Sequence, residues 1–126
     1  MELSESLEMI DIKDIESKYI SGIVKKVPIL SDHLIVEILV IEKGENSATH
    51  VHVGSDEVQY IIKGTGQITV DGMDYALRDG ISILVPKCKP HKFSSDTGQL
   101  MIMSVRNNPS ADLSVCREPS QDPQKT

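Results

Sequence analysis

Between the strand-like runs Ile68-Thr69-Val70 and Met73-Asp74-Tyr75-Ala76-Leu77 stands Asp71-Gly72, and no other dipeptide constrains this chain as strongly. A two-residue connection of the primed type needs positive φ at both central positions, so the pair predicts an antiparallel hairpin. Similar short runs lie on both sides of it: VKKVPIL, HLIVEILVIE, HVHV, EVQYIIKG, GQITV, MDYALRDG, ISILVP, HKFSS and LMIMSVR. They are rich in β-branched residues, separated by turn signals and closely spaced, which predicts an all-β sandwich or barrel. Pro28, inside the first run, cannot donate to a ladder and marks that run as an edge strand or a bulge.

The ends differ from this pattern. Leu3, Leu7 and Ile10 recur at a helical spacing, but Ile10, Ile12 and Ile15 tighten it, so the start reads as a short helical arm or an edge strand. After Arg106 the sequence NNPSADLSVCREPSQDPQKT carries three prolines and few apolar residues, a composition expected to stay disordered. The chain therefore divides into an N-terminal arm over residues 1–22, a β-domain over 23–108 and a flexible tail over 109–126. A single domain of 126 residues is large enough to be stable without metal or disulfide, so a bound metal would be functional rather than structural.

The formal charge of −6 argues against nucleic acid as a partner, because such binding needs clustered Lys and Arg to neutralise phosphates. No run approaches membrane-spanning length, and the acidic start MELSESLEMIDIKD does not read as a signal peptide, so a cytoplasmic protein with no membrane partner is expected. Cys88 and Cys116 show no C-x-x-C spacing and are expected to be two reduced thiols.

Chemistry concentrates around Gly44 to Gly64. His50 and His52 are one residue apart, so on a strand they share a face at roughly 7 Å, and Glu57 can join them from the neighbouring strand. On its own an H-x-H pair beside a carboxylate is commonly a surface cluster. The frame around it is more specific: Gly44, His50, His52, Glu57 and Gly64 form G-x5-H-x-H-x4-E-x6-G without a gap. After fifteen intervening residues, Thr65 to Asp79, Gly80, Pro86 and His91 fall at the fixed positions of G-x5-P-x-G-x2-H-x3-N, with Cys88 in place of the second glycine and Ser95 in place of the asparagine.

These two motifs resemble those of the cupins, and the resemblance runs from about Ile35 to Val105. It implies a cupin-type double-stranded β-helix, or jelly-roll barrel. It also implies a ligand set of His50, His52, Glu57 and His91 around one divalent transition metal. Three imidazoles and a carboxylate suit Fe, Mn, Ni, Cu or Zn, and affinity order does not choose among them. The Cys88 substitution removes the residue best suited to a positive φ in the loop before His91.

With Glu57 inward, strand alternation turns Gln59 and Ile61 inward too and Val58 and Tyr60 outward. Gln59 is then the expected catalytic orienter and substrate contact, with Ile61 and Phe93 as apolar wall. Lys87, in the PKCKPHK run with Lys89 and Lys92, is a candidate for steering an anion to the site, although such a run is more often a solvated loop. The expected function is a metal-dependent enzyme acting on a small oxygenated, anionic metabolite, by dioxygenase-type or by Lewis-acid isomerase, lyase or decarboxylase chemistry. The alternative is a non-catalytic cupin that binds or senses a small molecule. A homodimer joined through the apolar strands between Val24 and Val40 is expected in either case.

Overall fold

The structure is a computed structural model and describes residues 7–18, 24–49, 51, 53–96 and 98–107. The tail expected over 109–126 lies outside the described residues, as do His50 and His52. One helix, α1 (Ile12–Lys18), precedes eight strands: β1 (Val24–Leu30), β2 (Leu34–Ile41), β3 (Glu57–Lys63), β4 (Gly66–Val70), β5 (Met73–Leu77), β6 (Ser82–Val85), β7 (His91–Ser95) and β8 (Leu100–Asn107). Their antiparallel pairing gives a five-stranded sheet in the order β1-β2-β8-β3-β6 and a three-stranded sheet in the order β5-β4-β7. Among the described residues no helix is long and apolar enough to cross a membrane.

Period-two alternation decides what each strand buries. On β2, Leu39 and Ile41 enter a core shared with Ile61, Ile68, Leu77, Val85, Phe93, Leu100 and Ile102. Ile38 and Val40 face the other way and are buried all the same, because α1 covers them: Ile15 joins them and Met101 in a second cluster, with Ile10 and Ile12 packed against it. Each such side chain contributes about 1.5–3 kcal/mol when fully buried. Within the arm the stretch Ile12–Lys18 is thus a helix, started by Asp11, whose carboxylate accepts from the Lys13 backbone N–H at 2.9 Å.

The hairpin expected at Asp71-Gly72 joins β4 to β5, and both residues have positive φ, 53° and 84°. Pro28 lies on β1, which stands at the edge of its sheet with β2 on one side. The strand expected at HVHV is not found among its described residues: Val51 and Val53 lie outside any strand and are exposed. The segment just before them runs along the free edge of β7. Ser47 N–H donates to Phe93 O, the Ser47 hydroxyl accepts from Phe93 N–H, both at 2.8 Å, and Ser95 N–H donates to Glu45 O at 3.0 Å. A side-chain oxygen replaces a ladder carbonyl there.

The change of sheet from β3 to β4 uses a register shift between Ile61 and Lys63 and two glycines. Gly64 has φ 106° and its N–H is held by the Asp79 carboxylate at 2.6 Å. At Gly66 a Cβ would collide with the backbone carbonyl of Ser94 on β7, so only glycine lets β4 approach that strand. Gly66→Ala is expected to destabilise the protein by about 2–3 kcal/mol through backbone displacement, whereas Gly72→Ala, in open space, costs only the left-handed strain of about 1 kcal/mol. Urea denaturation of the two variants checks the ordering.

Candidate ligand-binding site

Glu57 opens β3 and His91 opens β7, on facing sheets, and each is 2% exposed. The His91 Nε2 lies 3.0 Å from Glu57 Oε1, and its Nδ1 lies 2.9 Å from the Lys89 carbonyl. A carbonyl accepts and does not donate, so Nδ1 carries hydrogen, and a second hydrogen on Nε2 would face the Glu57 carboxylate. Burial opposes that positive charge, but the contact with Glu57 and the Lys89 carbonyl outweigh it, and the His91 pKa is raised above 6.5.

The other oxygen of Glu57 accepts from the Ser104 hydroxyl at 3.1 Å and from Arg106 Nη1 at 3.2 Å. Arg106 also donates to Glu37 at 2.8 Å. This network follows from register: Glu57 is opposite Arg106 and Gln59 opposite Ser104 on the β3–β8 ladder, while Glu37 is opposite Ser104 on the β2–β8 ladder. The polar layer thus lies on the inward parity of three neighbouring strands, next to the apolar core.

Gln59 follows Glu57 on the same face and is 1% exposed, with no hydrogen-bond partner for either amide atom among the described residues. Ile61 and Phe93 are fully buried in the core, and the Phe93 ring meets His91 edge-on at 6.5 Å. Lys87 is exposed; its backbone N–H, not its ammonium, is engaged, donating to the Asp56 carboxylate at 2.9 Å. That bond and the Ser55 hydroxyl on Asn107 O, at 2.9 Å, tie the loop before β3 to the β6–β7 loop and to the end of β8. Three backbone segments therefore frame the polar end of the barrel.

The metal centre expected of His50, His52, Glu57 and His91 requires correction. Among the described residues no group of three or more His, Cys, Asp or Glu side chains is arranged to hold a metal ion. Of the four, Glu57 and His91 are described: Glu57 Oε1 and His91 Nε2 lie 3.0 Å apart, and the other Glu57 oxygen accepts from Ser104 and Arg106. The Fe, Mn, Ni, Cu or Zn cofactor, the metal-dependent enzyme, the dioxygenase and isomerase or lyase chemistries and the metal-bound anionic substrate are corrected with it, since each rests on that ligand set. The cysteine expectation is also corrected: Cys88 is disulfide-bonded. The other cysteine of the sequence, Cys116, lies outside the described residues. Cys88 takes φ 67°, so the left-handed conformation suited to glycine persists without it.

Ser104, Arg106 and Glu37 were missed in the sequence. Their signal was parity: Glu37 is one carboxylate within LIVEILVI on the phase of Leu39 and Ile41, and Ser104 and Arg106 continue the phase of Ile102.

Residues 37–106 match the family described as Cupin domain, and the chain belongs to that family. An uncharacterized protein of Methanocaldococcus jannaschii is 30% identical over 56 residues, which are 44% of this chain and 45% of that protein, so the match spans less than half of that relative's length. Among solved structures, TT1209 from Thermus thermophilus superposes with a TM-score of 0.71 at 23% identity, covering 80% of this chain and 97% of its own. An uncharacterized conserved protein with a double-stranded β-helix domain from Klebsiella pneumoniae does so at 0.73 and 16% identity, covering 90% and 100%. At these identities the likeness is one of fold.

Two outcomes follow from the buried network. Arg106→Met should destabilise the protein by about 3–5 kcal/mol by leaving Glu57 charged and poorly compensated, and adding Glu57→Gln should recover more than half of that loss in urea titrations. Because the folded His91 pKa is raised, its contribution to stability is complete below the unfolded value near 6.5 and is lost as pH rises through the folded value. Unfolding midpoints of the wild type should therefore fall with rising pH across that window, and those of His91→Gln should not.

Proposed function

We propose that this chain is a small-molecule-binding cupin whose ligand enters between the loop before β3 and the β6–β7 loop and is held by Gln59. Glu57 and His91 line the same polar end of the barrel, and Ile61 and Phe93 form the wall beneath them. The observation that carries the reading is the Gln59 amide, buried with no hydrogen-bond partner among the described residues. An unsatisfied buried amide costs about 1–3 kcal/mol, a penalty that a bound ligand offering complementary groups would remove. Buried polar groups converging at the mouth of a barrel are a common form of ligand site. Membership of the cupin family supports small-molecule binding in general. No catalytic step is assigned to Gln59: it touches no reacting group here, and its role in this reading is recognition.

Thermal denaturation of the wild type and of Gln59→Leu against a library of small metabolites checks the reading. A ligand at a hundred times its Kd stabilises by about 2.7 kcal/mol, which should raise the wild-type midpoint by several degrees and leave Gln59→Leu unmoved. A library without any stabilising member, or one whose hits stabilise Gln59→Leu equally, removes this site from consideration.

A further inference from the structure

The Gln59 amide presents an acceptor, Oε1, beside a donor group, Nε2, and both are buried without a hydrogen bond among the described residues. Its neighbours across the sheet do not complete it. Ser104, opposite it on β8, turns its hydroxyl to Glu57. Ile83, opposite it on β6, and Ile61, next on its own face, offer hydrocarbon. A single group that supplies a donor and an acceptor side by side would complete it.

The charges nearby restrict that partner further. Glu37 and Glu57 face Arg106 and His91. With His91 protonated these four side chains sum to zero, and with His91 neutral they sum to −1, so in neither state does this described network carry a net positive charge for an anion. The Arg106 guanidinium is shared between the two carboxylates. The Glu57 carboxylate stands on the same face of β3 as Gln59, roughly 7 Å along the strand, and would repel a second one. A carboxylate ligand, moreover, only accepts hydrogen bonds and would leave the Gln59 carbonyl unpaired.

We propose that the ligand is a neutral molecule with a carboxamide-type head, open-chain or lactam, on a short aliphatic body, and that its head pairs with Gln59 through two antiparallel hydrogen bonds. The proposal rests on the small-molecule reading above and names its ligand class. The aliphatic body follows from the walls beside the amide, Ile61, Ile83 and Val85. The pairing holds whichever way the Gln59 amide is turned, since the ligand amide turns with it.

Pentanamide and pentanoate share size and chain and differ in whether the head can donate and whether it is charged, which makes them the probes. Each is titrated into the full-length wild type and into Gln59→Met, with binding read from the backbone amide resonances of Gln59, Ile61 and Ser104 in two-dimensional NMR. Pentanamide should bind the wild type at least tenfold more tightly than pentanoate, and at least tenfold more tightly than it binds Gln59→Met. Pentanoate binding equal to or tighter than pentanamide at these resonances overturns the carboxamide class and leaves a small-molecule site standing. Shifts from neither probe overturn the class and count against the site itself. The wild-type comparison alone decides the ligand class should Gln59→Met fail to fold.

Discussion

A carboxylate buried inside a β-barrel has to be compensated where it stands, and Glu57 is the point at which this barrel's elements meet to do so. Its two oxygens reach His91 on β7, and Ser104 and Arg106 on β8, and Arg106 carries the connection on to Glu37 on β2. The two sheets are thus linked by charge at one end and by hydrocarbon at the other, where Leu39, Ile41, Ile61, Ile68, Leu77 and Leu100 pack together. Ion pairs of this kind add little net stability relative to a hydrocarbon replacement, yet removing one member is expensive. The layer therefore acts as a constraint on register: slipping any of the three strands by one residue would expose its charge to the core and its apolar side chains to water.

That constraint also shapes the recognition surface. Because Ser104 and Arg106 are engaged by Glu57, they leave the neighbouring Gln59 with hydrocarbon on two sides and no complementary group among the described residues. A charge-balanced network beside an unsatisfied amide favours a neutral hydrogen-bonding head over an anion. The expectation of an anionic metabolite rested on a metal's positive charge, and among the described residues no group is arranged to hold that metal.

Much of the fold was legible in local chemistry. Asp71-Gly72 could form a tight hairpin only by taking positive φ twice, Pro28 could be accommodated at a sheet edge, and alternation placed Glu57, Gln59 and Ile61 on one face. What escaped was non-local. HVHV alternates as a strand would, yet its described residues Val51 and Val53 lie outside any strand, while residues 45–47 run along the edge of β7, and no sequence period reports which segment takes an edge. The ambiguous N-terminal spacing resolved as α1 because the outer face of β2 and β8 needed a cover for Ile38, Val40 and Met101. Cys88 carries no local sign of its disulfide, since its sequence context is a lysine-rich loop.

The sequence by itself determined the strands around the hairpin, the inward parity of each strand and membership of the cupin family, because these depend on residue type and on spacing along one segment. Only the tertiary structure decided what the inward polar groups do. That Glu57 meets an arginine depends on which residue faces it across a ladder, and that is set by register between β3 and β8, strands with four others between them in the chain. Pairwise distance in space, which no single segment encodes, made Glu57, His91, Ser104 and Arg106 one network and left Gln59 beside it without a hydrogen-bond partner among the described residues.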